Sequence, residues 1–210
     1  MSARDEVLAA VRAALAPTGP ARPSTDHGPA RATAGGDGTA SGDVVDREAL
    51  LALFAGRVAD YRAEVTRCAA AELNRAVAAA LAGADSVVVP AGLGFEVPGS
   101  RVDDELTSAE LDAVDAVVTR AAVGIARTGT VVLDHGPDQG RRAITLLPDL
   151  HVCVVSEAQV VPDVGDALAL LDPLRPQTWV SGPSATSDIE LSRVEGDHGP
   201  RRLHVVLVAD

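Results

Sequence analysis

Lysine is absent from this chain of 210 residues, and all 18 basic residues are arginine. That removes lysine Schiff-base chemistry and the lysine of a phosphate-binding P-loop. Cysteine is nearly absent too: Cys68 and Cys153 each sit in an apolar run. An iron–sulfur cluster takes about four thiolates at close spacing, so this chain alone cannot hold one. The two thiols read as small buried hydrophobes in a reducing compartment. Gly-x-Gly-x-x-Gly is missing, and Gly182-Pro183-Ser184-Ala185-Thr186 lacks the second glycine of a nucleophile elbow, which argues against a dinucleotide fold and a serine hydrolase. No run approaches the ~18 apolar residues of a membrane span and no signal pattern opens the chain, so cytoplasmic residence is expected. Basic surplus is lacking as well: the formal net charge is −12, against the phosphate neutralisation that drives nucleic-acid binding.

What is present begins with Val7, Leu8, Val11 and Leu15 at helical spacing behind Ser2, predicting an N-capped helix over residues 3–16 that packs on its own domain or on another chain. Residues 17–43 are rich in Pro, Gly, Ser, Thr and Ala and read as a flexible linker. From residue 44 to 210 one domain is expected. Its predicted helices cover 47–61, 70–82 and about 164–171, with a capping box at Thr107-Ser108-Ala109-Glu110. Strands are predicted at 63–67, 86–90, 116–119, 130–134, 151–156, 160–161, 178–181 and 203–208. This alternation predicts an α/β domain with a largely parallel sheet.

Chemistry concentrates after the strand at 178–180. Ser181-Gly182-Pro183-Ser184-Ala185-Thr186-Ser187-Asp188-Ile189-Glu190 turns at Gly182-Pro183 and reads as opening a short helix, where N–H groups and the positive helix end collect for an anion. Ser187 and Glu190 also fit an ordinary capping box, which leaves Ser184 and Asp188 to orient a substrate hydroxyl or act as base. Ligands in open α/β sheets gather at the carboxyl ends of strands, so Pro90–Gly94, Asp134–Pro137 and Ser181–Ser184 are the loops to inspect. Thr128-Gly129-Thr130 is either a tight turn satisfying its own backbone or a set of donors for phosphate or carboxylate. His198, in Asp197-His198-Gly199-Pro200, is a solvated turn residue or a proton-transfer group. His151 and His204 read as strand-edge histidines bonded to backbone. No histidine or cysteine spacing supports a metal.

Read together, Gly124–Leu133 with its Arg127-Thr128-Gly129-Thr130, Arg142–Val152, and Ser181–Glu190 followed by His198-Gly199-Pro200 resemble the LUD-domain family, lactate-utilisation protein C type, over roughly residues 45–208. The resemblance implies a three-layer α/β/α sandwich related to the glucosamine-6-phosphate deaminase, ribose-5-phosphate isomerase and CoA-transferase group. It implies an accessory role in oxidising L-lactate to pyruvate beside iron–sulfur partner proteins, with the clusters in those partners and no cofactor on this chain. With it comes a small-anion pocket of Thr128, Gly129, Thr130, Ser181, Gly182, Ser184, Ser187 and Glu190, and a catalytic pair, Asp188 and His198. The acyl-forming glutamate of CoA transferases has no counterpart. Two positions depart from the family pattern: Arg127 stands where glutamate is usual, and Ala185 where arginine is usual. The pair is either compensatory or the mark of a different ligand. Two rival readings are a stand-alone enzyme acting on a phosphorylated or carboxylated small molecule, and a non-catalytic ligand sensor.

Overall fold

Leu150-His151-Val152-Cys153-Val154-Val155 is buried on both alternations, as a strand covered on both faces must be. The computed structural model describes residues 46–187, 193–195 and 199–209; the expected helix at 3–16 and linker at 17–43 lie outside them. Among the described residues the central sheet has β1 (Glu64–Cys68), β2 (Val87–Val89), β3 (Arg101–Val102), β4 (Ala116–Arg120), β7 (Leu150–Ser156) and β12 (Arg202–Val208). Their order is β1-β12-β7-β4-β2-β3, with every pairing parallel. A second sheet, ordered β8-β5-β6-β9, joins β5 (Val123–Ile125), β6 (Thr130–Leu133), β8 (Val160–Val161) and β9 (Thr178–Val180).

Three layers follow from where apolar side chains fall. Helix α1 (Arg47–Asp60) starts at Asp46, whose carboxylate accepts the Glu48 N–H. It buries Leu50, Leu51, Phe54 and Val58 at helical spacing, packing them with Cys153, Val155, Val205 and Leu207 of the central sheet and Val131 and Leu133 of the second. Helix α2 (Leu73–Ala80) covers the opposite face, setting Ala76 and Val77 against Val118, Val152, Val154 and Val206. Helix α3 (Ser108–Asp112) begins with the expected Thr107–Glu110 capping box and buries Leu111 beside Val88 and Val117. Helix α4 (Val164–Leu170) closes the outer face of the second sheet through Ala167. The result is a three-layer α/β/α fold with a mainly parallel central sheet.

One expectation is overturned here. The segment after Gly182-Pro183 does not open a helix: β10 (Ala185–Ser187) is a strand, paired antiparallel with β11 (Arg193–Glu195). The serine, threonine and aspartate that suggested a helix cap also suit a polar hairpin, and the pairing that decides between them is non-local.

Candidate functional site

Two turns converge on the C-terminal end of α1. Thr128-Gly129-Thr130 links β5 to β6, and at φ +60° Gly129 lies so close that a Cβ there would stand 2.5 Å from the Arg57 carbonyl carbon. Gly182, at φ +88°, abuts Tyr61, whose Cβ would be 2.5 Å from a Cβ on the glycine. Hydroxyls join the turns: Thr128 Oγ1 is 2.7 Å from Thr130 Oγ1, which is 2.8 Å from Ser181 Oγ. Thr130 is buried, and Ser181 is exposed at the mouth of a cleft.

That cleft, of about 230 Å³, has His151 and Leu203 on one side, Arg142, Thr145 and Leu146 on another, and Thr178–Ser184 with Gly199 and Pro200 around the rest. His151 and Leu203 are register partners at the amino ends of β7 and β12. The 181–184 turn follows the carboxyl end of β9, as expected, yet the cleft it borders lies beside the amino ends of the central strands β7 and β12. The other two inspected loops do sit at carboxyl ends and touch each other, Gly92 N–H donating to Pro137 O at 3.0 Å.

Ser184 N–H donates to Pro200 O at 2.8 Å, which ties the 181–184 turn to the segment before β12. Of the anticipated site residues, Thr128, Gly129, Thr130, Ser181, Gly182 and Ser184 thus form one connected region. Gly129 and Gly182 are accounted for by backbone packing on α1, and Thr128 and Thr130 reach the cleft only through Ser181. Ser187 belongs to β10. Asp188, Glu190 and His198 lie outside the described residues.

His151 stands near the start of its strand as expected, but with a different bonding partner. It is in an interior strand, flanked by β4 and β12, and its Nε2 bonds the Thr119 hydroxyl at 2.8 Å instead of backbone. Burial pushes its pKa down to about 4, so the ring is neutral at neutral pH. Thr119 Oγ1 in turn faces Cys153 Sγ at 3.9 Å, and that thiol points to Arg120 O at 3.8 Å. His151 Nδ1 has no partner among the described residues, and the direction of the Thr119 bond decides which ring nitrogen carries the proton. Desolvation raises the Cys153 thiol to about 12, which makes it inert. His204 also bonds a side chain, its Nε2 lying 2.8 Å from Thr66 Oγ1. Cys68 is free and only half-buried.

Arg142 supplies the cleft's cation, and among the described residues no carboxylate pairs with it. Arg127 does not fill that role: its guanidinium pairs with Asp163, the N-cap of α4, at 2.6 Å, and it lines no part of the cleft. That contact holds the Asp163 carboxyl below its ordinary range. The sequence signal for Arg142 and His151 was an arginine and a histidine bracketing a buried segment, in the same 142–152 motif.

A three-layer α/β/α fold with a mainly parallel central sheet places the chain among the α/β proteins. The chain belongs to the LUD domain family, whose model matches residues 72–208. It is 50% identical over 175 residues to lactate utilization protein C of Deinococcus radiodurans, covering 78% of this chain and 82% of that protein. Lactate utilization protein C of Bacillus licheniformis is 34% identical over 101 residues, 44% of this chain and 42% of that one. The crystal structure of a DUF162 family protein from Deinococcus radiodurans matches with a TM-score of 0.66 at 44% identity, covering 77% of this chain and 98% of that chain. Among the described residues no helix is long and apolar enough to cross a membrane.

Proposed function

We propose that this chain is an accessory component of an iron–sulfur system that oxidises L-lactate to pyruvate, and that its cleft holds a small 2-hydroxy carboxylate. What supports this is the cleft's complementary set: an Arg142 guanidinium that pairs with no carboxylate among the described residues, Ser181 and Ser184 hydroxyls, and a neutral His151 ring to hydrogen-bond a substrate hydroxyl. Similarity to proteins named for lactate utilization supports the pathway. Removing two electrons and two protons from lactate requires an acceptor, and two cysteines, one of them buried and inert, cannot hold a cluster. The electrons therefore go to clusters in partner proteins. Free thiols at Cys68 and Cys153 are consistent with a reducing, cytoplasmic setting for the system.

The test is reconstitution. The purified chain alone should reduce no dye with L-lactate; iron–sulfur partner proteins from the same organism should oxidise lactate faster with it than without it. Arg142→Ala should weaken lactate binding to the chain by about tenfold or more, the scale of one charge-assisted contact. Ser184→Ala should weaken it less. Lactate oxidation by this chain with no other protein present would instead establish the stand-alone enzyme.

A further inference from the structure

A second cleft, of about 340 Å³, opens at the carboxyl ends of β4 and β7, away from the lactate site, and its polar lining includes Asp134, Gly136, Asp138, Gln139 and Arg175. Carboxyl ends of parallel strands are where α/β sheets collect ligands. Gln139 is 3% exposed, and its Oε1 accepts the backbone N–H groups of Asp134 at 2.7 Å and His135 at 3.2 Å. Two N–H donors fix the amide: oxygen toward the turn, NH2 away from it. That Nε2 donates to nothing among the described residues. A buried donor left bare costs about 1–3 kcal/mol, so its retention calls for a reason.

The neighbouring groups say what kind of partner is missing. A Cβ on Gly136 would lie 3.1 Å from Asp138 Oδ1, 3.4 Å from Asp134 Oδ1 and 3.5 Å from Gln139 Nε2, so three polar atoms border the space left by one absent side chain. Asp134 is engaged, pairing with Arg175 at 2.8 Å. The Asp138 carboxylate has no hydrogen-bond donor or cation among the described residues. A bound anion would meet two carboxylates and a guanidinium already in use. A cation would meet the donor face of the Gln139 amide. Only a group that both donates and accepts satisfies Asp138 and Gln139 together, and a neutral hydroxyl does both.

We infer that this cleft binds a neutral polyhydroxy compound of sugar size, with one hydroxyl accepting from Gln139 Nε2 and another donating to Asp138. Its volume is at the small end of the ~300–1,000 Å³ range of small-molecule sites. The proposal is independent of the lactate reading, since no residue lining this cleft lines the other.

Titration of the isotopically labelled full chain with D-ribose, D-glucose and sorbitol, followed by NMR, tests it. At least one of the three should shift the Gln139 side-chain NH2 pair, assigned by its loss in Gln139→Met, along a saturating millimolar curve. Inorganic phosphate should not. Gly136→Ala, which puts a methyl into the space, should abolish the shift with the remaining spectrum unchanged, and Asp138→Asn should weaken affinity at least tenfold. Should Gly136→Ala disturb the fold, Asp138→Asn decides alone. Linear, non-saturating shifts for all three polyols, or saturation unaffected by Asp138→Asn, overturn the proposal.

Discussion

Gly129→Ala should lower the unfolding free energy by about 3 kcal/mol or more, enough to shift a urea midpoint far outside error. Two costs add. At φ +60° an alanine is forced into the left-handed region, at about 1–2 kcal/mol. Its Cβ would also stand 2.5 Å from the Arg57 carbonyl carbon and 2.7 Å from Val58 N, backbone atoms of α1 that cannot swing aside as a side-chain tip would. Overpacking against such atoms costs about 1–3 kcal/mol. Thr128→Val, which keeps the shape and loses one hydroxyl, should cost far less. If Gly129→Ala changed stability by under ~0.5 kcal/mol, the close approach of the β5–β6 turn to α1 would be wrong. The motif's glycine is thus a packing residue, and its threonine hydroxyls contact each other and Ser181.

The parts of this molecule legible in its sequence are those where local pattern and tertiary burial agree. Helix α1 has a capping aspartate and an apolar stripe, α3 has its capping box, and β7 and β12 are β-branched runs apolar on both alternations. The second sheet was only partly legible. Its members β6, β8 and β9 were expected as strands, but β5, Val-Gly-Ile inside the longer apolar run 121–126, carries no boundary of its own. Nothing in a strand's sequence states which sheet it joins. The same blindness hid the partner of His151: it stands near the start of its strand as expected, but its bond is to the Thr119 side chain of β4, far away in sequence. Arg141 and Arg142 are neighbours in sequence with different surroundings, Arg141 tied to Asp103 at 2.7 Å and Arg142 lining the cleft, and nothing local distinguishes them. The run of hydroxyls around Ser181 and Ser184 misleads as a helix start, because the pairing of β10 with β11 is non-local.

Between pH 6.5 and about 5 the protein should lose about 2 kcal/mol of stability through His151, and up to about 3 kcal/mol by pH 4. In the unfolded chain this ring binds a proton near its ordinary value of 6.5; in the fold, burial holds it unprotonated until about 4. Over that interval the unfolded state carries more protons, so stability falls as pH falls, and below about 4 the penalty stays constant. His204 is shifted down by desolvation too and adds a term of the same sign. The lowered carboxyls, Asp103 beside Arg141 and Glu48 beside Arg67, act in a different window, losing their contribution only as pH drops below their unfolded values of 3.8 and 4.5. Urea unfolding at pH 7.5, 6.5, 5.5 and 5 therefore isolates the histidines. His151→Gln, which keeps a polar group for Thr119, should flatten the slope markedly whatever it does to stability at pH 7.5, and adding His204→Gln should flatten it further. Parallel slopes for His151→Gln and the unsubstituted protein would mean that the ring is solvated and charges as freely in the fold as out of it. The cleft would then present a second cation beside Arg142 at mildly acidic pH, in place of the neutral ring on which the proposed site relies.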